Sequence, residues 1–147
     1  MSYVKRFVLI AVAATLGAGC GTDEEPPAEP DTTGPLVVYE RGGGVAGVFE
    51  ELRIERDGKA TVTIGRGDER DSFRLPAEQL ERLGAELAEA DLSDPGGPPG
   101  CADCFEYSLT YEGKTVRFDD LAEPPASLVA VLTDLRRIVA DHQPETG

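Results

Sequence analysis

Two helical stripes of apolar residues, set among segments that alternate polar and apolar residues, predict a two-layer α+β domain. The expected architecture is an antiparallel sheet of about four to six strands packed by two amphipathic helices, in the order β-β-β-β-α-β-β-α. A third observation bounds it: with 147 residues, of which the ends look unable to pack, the chain holds one core, expected over 36–143.

The folded part begins at the β-rich run Leu36–Arg41, which stops at Gly42-Gly43-Gly44. In the next stretch Val48, Glu50, Leu52 and Ile54 share one face, and Phe49, Glu51, Arg53 and Glu55 the other. Asp57-Gly58 is a hairpin signal leading into Ala60–Ile64. The polar run Gly67–Asp71 is expected to turn the chain, and Ser72–Leu75 to form a short strand.

Pro76 suits a first helical position, and Ala77, Leu80, Leu83 and Leu87 then recur at helical spacing with acids near the start, ending near Asp91. The Gly- and Pro-rich segment Asp94–Gly100 is a loop. Phe105, Tyr107, Leu109 and Tyr111 alternate with polar residues, and Glu112-Gly113 turns the chain into Thr115–Phe118. Leu128, Val131, Leu132, Leu135, Ile138 and Val139 form the second stripe, after Pro124-Pro125 and before His142. No internal repeat of fixed period is visible.

Upstream of the domain, residues 1–19 read as a bacterial lipoprotein signal. Lys5 and Arg6 precede the apolar run Phe7–Ala14, and small residues lead to Cys20. The run is too short to span a bilayer, which takes about 20 apolar residues. Gly17 stands three places before the cysteine, where an aliphatic side chain is usual, with Leu16 one place further out. Lipidation of Cys20 is expected, because linker-like sequence with no use for a buried thiol follows at once. Residues 20–35 contain four prolines, five acids and no large apolar side chain. Such a spacer stays extended and reaches roughly 45 Å at about 3.1 Å per residue. Localisation at the cell membrane, lipid-anchored on its extracytoplasmic face, is therefore expected, with residues 144–147 a tail.

The formal charge is -14, and Lys5 and Arg6 are the only charges in residues 1–19, so the chain from Cys20 onward carries -16. That surface repels phosphate backbones and excludes nucleic acid as an expected partner. It suits a soluble monomer that meets basic partners.

Cys101-Ala102-Asp103-Cys104 is the most pointed local motif. In an oxidising compartment the pair can close into a disulfide that staples the start of the strand at Phe105; inert thiols and redox or metal chemistry are the alternatives. Zinc wants four ligands, whereas only the distant His142 could join the two cysteines. Redox pairs usually open a helix, and this one precedes a strand. Gly42-Gly43-Gly44-Val45-Ala46-Gly47 lacks the Gly-Lys-Ser/Thr ending and following helix of a phosphate loop; its glycines permit positive φ and close chain approach. The single histidine, expected at a helix end, makes a catalytic triad improbable, and the acids Asp119, Asp120, Glu123, Asp91 and Asp94 lack the spacing of a calcium loop. No enzyme, cofactor or metal site is expected.

Through Tyr39–Gly47, the charged hairpin after it, Phe73–Leu80, Phe105–Tyr111 and the last amphipathic helix, the chain resembles the emfourin family over most of residues 36–140. Emfourin-like proteins are small bacterial proteins, some of which inhibit thermolysin-like metalloproteases. The lipid anchor, acidic linker and Cys101/Cys104 loop are additions to the plain form of the family. The resemblance implies the same fold and a metalloprotease partner, with Gly42, Gly43, Gly44, Val45, Ala46 and Gly47 as the loop that enters a protease cleft. A structural or assembly lipoprotein of the cell envelope is the alternative, and a thiol oxidoreductase using Cys101 and Cys104 a third class.

Overall fold

The computed structural model describes residues 33–65, 69–95 and 101–143. The signal, Cys20, the linker up to Thr32, residues 66–68 and 96–100, and the tail lie outside the described residues. Four strands come first: β1 (Val37–Gly43), β2 (Val48–Ile54), β3 (Lys59–Ile64) and β4 (Glu69–Arg74). After them come α1 (Ala77–Glu89), β5 (Phe105–Tyr111), β6 (Lys114–Asp119) and α2 (Ala126–Asp141). The six strands form one sheet in the order β4-β3-β2-β1-β5-β6, with every neighbouring pair antiparallel. The fold is α+β, with the element order the sequence implies.

Alternation with a period of two decides the faces. Val37, Tyr39, Leu52, Ile54, Ala60, Val62, Tyr107, Leu109 and Val116 point to one side and are buried. The six apolar positions of α2 and Leu83 and Leu87 of α1 close over that side. Among the described residues the buried core runs from Val37 to Val139. Among the described residues no helix is long and apolar enough to cross a membrane.

Both helices start at a proline whose own backbone is extended, Pro76 (ψ 143) and Pro125 (ψ 147), with no side-chain cap. Pro76 thus precedes the first helical residue instead of occupying it. Where α1 ends, the Asp91 N–H donates to the Ser127 hydroxyl at 3.1 Å, which ties its exit to the start of α2. At the other end of α2 the His142 ring stacks on Phe73, centroids 3.4 Å apart, and its Nδ1 lies 3.2 Å from Asp71 Oδ2. The histidine sits at the helix end, as expected, but it is fastened to β4 instead of fraying.

Two further expectations are corrected. Gly42 and Gly43 are strand, not loop: they pair with Phe49 and Val48 on β2 and with Glu106 and Phe105 on β5. Flanking strands on both sides satisfy their backbone and outweigh the weak strand propensity of glycine. Likewise Glu69–Asp71 belong to β4, paired with Val62–Ile64, instead of forming a turn. Their charges suit an edge strand, where they discourage pairing with another chain.

The register sorts the loops to two ends of the sheet. Val37 lies opposite Ile54 and Tyr111, so the chain enters β1 beside the Arg56–Gly58 and Glu112-Gly113 turns. Gly43 lies opposite Val48 and Phe105, so residues 44–47, the Cys101–Cys104 segment and the Asp120-Leu121 turn gather at the far end. The seven residues of β1 separate the two ends by about 20 Å at roughly 3.3 Å per residue.

Candidate functional site

The site is built on the last residues of β1. Gly43 has φ +99, and a Cβ there would lie 2.6 Å from the Cys104 carbonyl oxygen. Gly44 has φ +70, and a Cβ there would lie 2.9 Å from the Phe105 ring. Only glycine allows both the backbone conformation and the close approach. The Gly44 N–H donates to the Cys104 carbonyl at 3.0 Å, and the Gly47 N–H donates to the Gly44 carbonyl at 3.0 Å. This closes a four-residue turn with Val45 and Ala46 at its corners. Val45 is 90% exposed and Gly47 has open space around it. A valine at that level of exposure buries almost no apolar area in its own fold.

The wall behind the turn is cross-linked. Cys101 and Cys104 form a disulfide with an S–S distance of 2.06 Å. The Arg41 guanidinium stands 3.8 Å over the Phe105 ring and also pairs with Glu50, Nη1 to Oε2 3.2 Å. Glu50 points inward, as the alternation requires, and this pairing resolves its burial. Asp120 then accepts the Phe105 N–H at 2.9 Å and the Tyr107 hydroxyl at 2.8 Å, while Arg136 lies 4.8 Å over the Tyr107 ring. Tyr39 faces Arg136 without closing a well-formed hydrogen bond, and burial pushes its hydroxyl pKa up.

The Phe105 N–H holds the Asp120 carboxyl below the usual carboxylate range; burial opposes it, and the Tyr107 hydroxyl and the Arg41 and Arg136 charges add to the lowering. A folded pKa lowered in this way adds stability above the unfolded carboxylate pKa of about 3.9, and that stability is lost as pH falls through the lowered folded value. Asp120→Asn is therefore expected to lower the melting temperature at neutral pH but not in strong acid. Melting curves across pH check this, and a difference that persists undiminished in strong acid would contradict it.

Other acids serve turns. Asp119 Oδ1 accepts the Leu121 N–H and Asp91 Oδ1 the Ser93 N–H, each at 2.9 Å. Among the described residues there is no group of three or more His, Cys, Asp or Glu side chains that could hold a metal ion.

One feature escaped the sequence reading. On the face away from the helices, Gly42 floors a concavity of about 460 Å³ walled by Glu40, Phe49, Glu106 and Arg117. Alternation assigns Glu40, Phe49 and Glu106 to that face, but only the cross-strand register, which sets Gly42 between Phe49 and Glu106, reveals the dip. Of the sequence-derived candidates, the structure brings Gly43, Gly44, Cys101 and Cys104 together, leaves Val45, Ala46 and Gly47 projecting, and turns Gly42 into the floor of the opposite face. Comparison with protein-family models and with curated proteins returns no match for this chain.

Proposed function

We propose that this chain is a lipid-anchored, extracytoplasmic, non-enzymatic binding protein that inhibits a thermolysin-like metalloprotease by inserting the 44–47 turn into its cleft. The observation that carries the reading is the turn itself: Val45, 90% exposed, sits on a hydrogen-bonded loop whose base is locked. A contact residue on a preordered loop loses little conformational entropy on binding. The sequence resemblance supports the class of partner. Because the linker joins β1 at the end remote from the turn, a tether at Cys20 would leave the tip free to reach a partner. Inhibition would then act locally, at the envelope.

The test is titration of the Cys20→Ser chain lacking residues 1–19 against a panel of thermolysin-like enzymes. Stoichiometric inhibition is expected, and its absence at excess removes the inhibitor reading. Val45→Asp is expected to weaken inhibition at least about tenfold, as for a central apolar anchor. Since Val45 is so exposed, its stability should change by no more than about 0.5 kcal/mol. Pull-down from native membranes that returns an envelope component and no protease would favour the assembly-lipoprotein alternative.

A further inference from the structure

We infer that the Cys101–Cys104 disulfide is the positioning clamp of the 44–47 turn, so that the two loops form one recognition unit whose rigidity depends on the redox state of the pair. The inference rests on reading the turn as the contact site, but its structural half stands independently of any protease.

Among the described residues the turn has two attachments to the rest of the domain. One is its covalent continuation into β1 and β2. The other is the residue pair Cys104-Phe105: the Cys104 carbonyl accepts the Gly44 N–H at 3.0 Å, and the Phe105 ring packs where a Gly44 side chain would stand. The position of that carbonyl is in turn set from two sides. Downstream, Phe105 is held by the Asp120 carboxylate and by the Arg41 guanidinium. Upstream lies the short turn Cys101–Cys104, closed by a Cys104 N–H to Cys101 carbonyl contact of 3.4 Å and by the Sγ–Sγ bond. That hydrogen bond is long, so the covalent bond is what fixes the turn.

A disulfide only three residues apart in sequence removes little chain entropy from the unfolded state compared with one that closes a long loop. Its effect is therefore local. Opening it leaves the strand pairs of Phe105–Tyr111 and the Phe105 N–H to Asp120 bond in place but removes the upstream restraint on the Cys104–Phe105 peptide unit, whose carbonyl then holds Gly44 less firmly. The exposed turn then rests on its internal Gly47 to Gly44 bond and its continuation into the β1–β2 ladder. Reduction is balanced by a dithiol: the Sγ–Sγ bond breaks, each sulfur takes one electron and one proton, and the reductant closes to its own disulfide.

The experiment is amide hydrogen exchange on the folded Cys20→Ser chain lacking residues 1–19, with and without dithiothreitol, repeated on the Cys101→Ser/Cys104→Ser variant. Exchange at Gly44 is expected to rise about tenfold or more on reduction, with Leu52, Val62 and Leu109 unchanged. In the double serine variant Gly44 exchanges fast with or without the reductant. Unchanged exchange at Gly44, or a rise spread evenly over the sheet, overturns the clamp. In parallel, for a protease that the oxidised chain inhibits, the inhibition constant is expected to rise about tenfold in the reduced chain. An unchanged constant overturns the single recognition unit. If the oxidised chain inhibits no enzyme of the panel, the inhibitor reading falls and the exchange result alone decides the clamp.

Discussion

Gly43→Ala is expected to destabilise the domain by about 2 kcal/mol and to weaken protease inhibition together with it. Two costs act at this position. The backbone has φ +99, which an L side chain rarely adopts, and the new methyl would start 2.6 Å from the Cys104 carbonyl oxygen. That oxygen is backbone just before β5, on the peptide unit whose Phe105 N–H is bonded to Asp120, so it yields less readily than the end of a side chain would. Relief must come from separating β1 and β5 at this end, which breaks the Gly44 to Cys104 hydrogen bond. Gly47→Ala is the control: φ is +62 but no atom lies within 4 Å of the added carbon. It is expected to cost only about 1 kcal/mol, the backbone part alone. Denaturant melts of both variants, with inhibition measured on each, decide the matter; equal costs would mean that the close approach to Cys104 is of no consequence.

The same glycine shows where sequence reading stops. Composition alone makes Gly42-Gly43-Gly44 a loop, and nothing local says that β5, some sixty residues later, will pair with the first two of them. Residues whose structure is decided by a short-range period were legible. The alternation of Phe105, Tyr107, Leu109 and Tyr111 gave the right inward face, and all six apolar positions of the last stripe are buried. Glu50 could be placed inward by its phase, but not its partner Arg41, because the pairing depends on the β1–β2 register. For the cysteines, spacing made a disulfide one of several states, and only the fold set their loop against Gly44. The candidate site is thus half legible: its exposed tip follows from glycine chemistry, and its clamp follows from contacts that only tertiary structure creates.

The largest loss of stability is expected from Leu135→Ala. Leu135 is fully buried in α2, among the residues that join that helix to the sheet and to α1. Removing three carbons there forfeits their transfer free energy and leaves a cavity that the surrounding strands, held in register on both sides, fill poorly. The expected cost is about 3 kcal/mol, a large part of the stability of a domain this size. It corresponds to a fall in melting temperature of about 12 °C or more. Inhibition measured at a temperature where the variant is still folded should be unchanged on the proposed reading, because the atoms that touch the 44–47 turn belong to Cys104 and Phe105 at the sheet end. Combining Leu135→Ala with Val45→Asp therefore separates the two properties. The stability change of the pair should equal that of Leu135→Ala, and its binding change that of Val45→Asp, within about 0.5 kcal/mol. A marked departure would mean that the core and the tip are coupled, and that the recognition unit extends through α2.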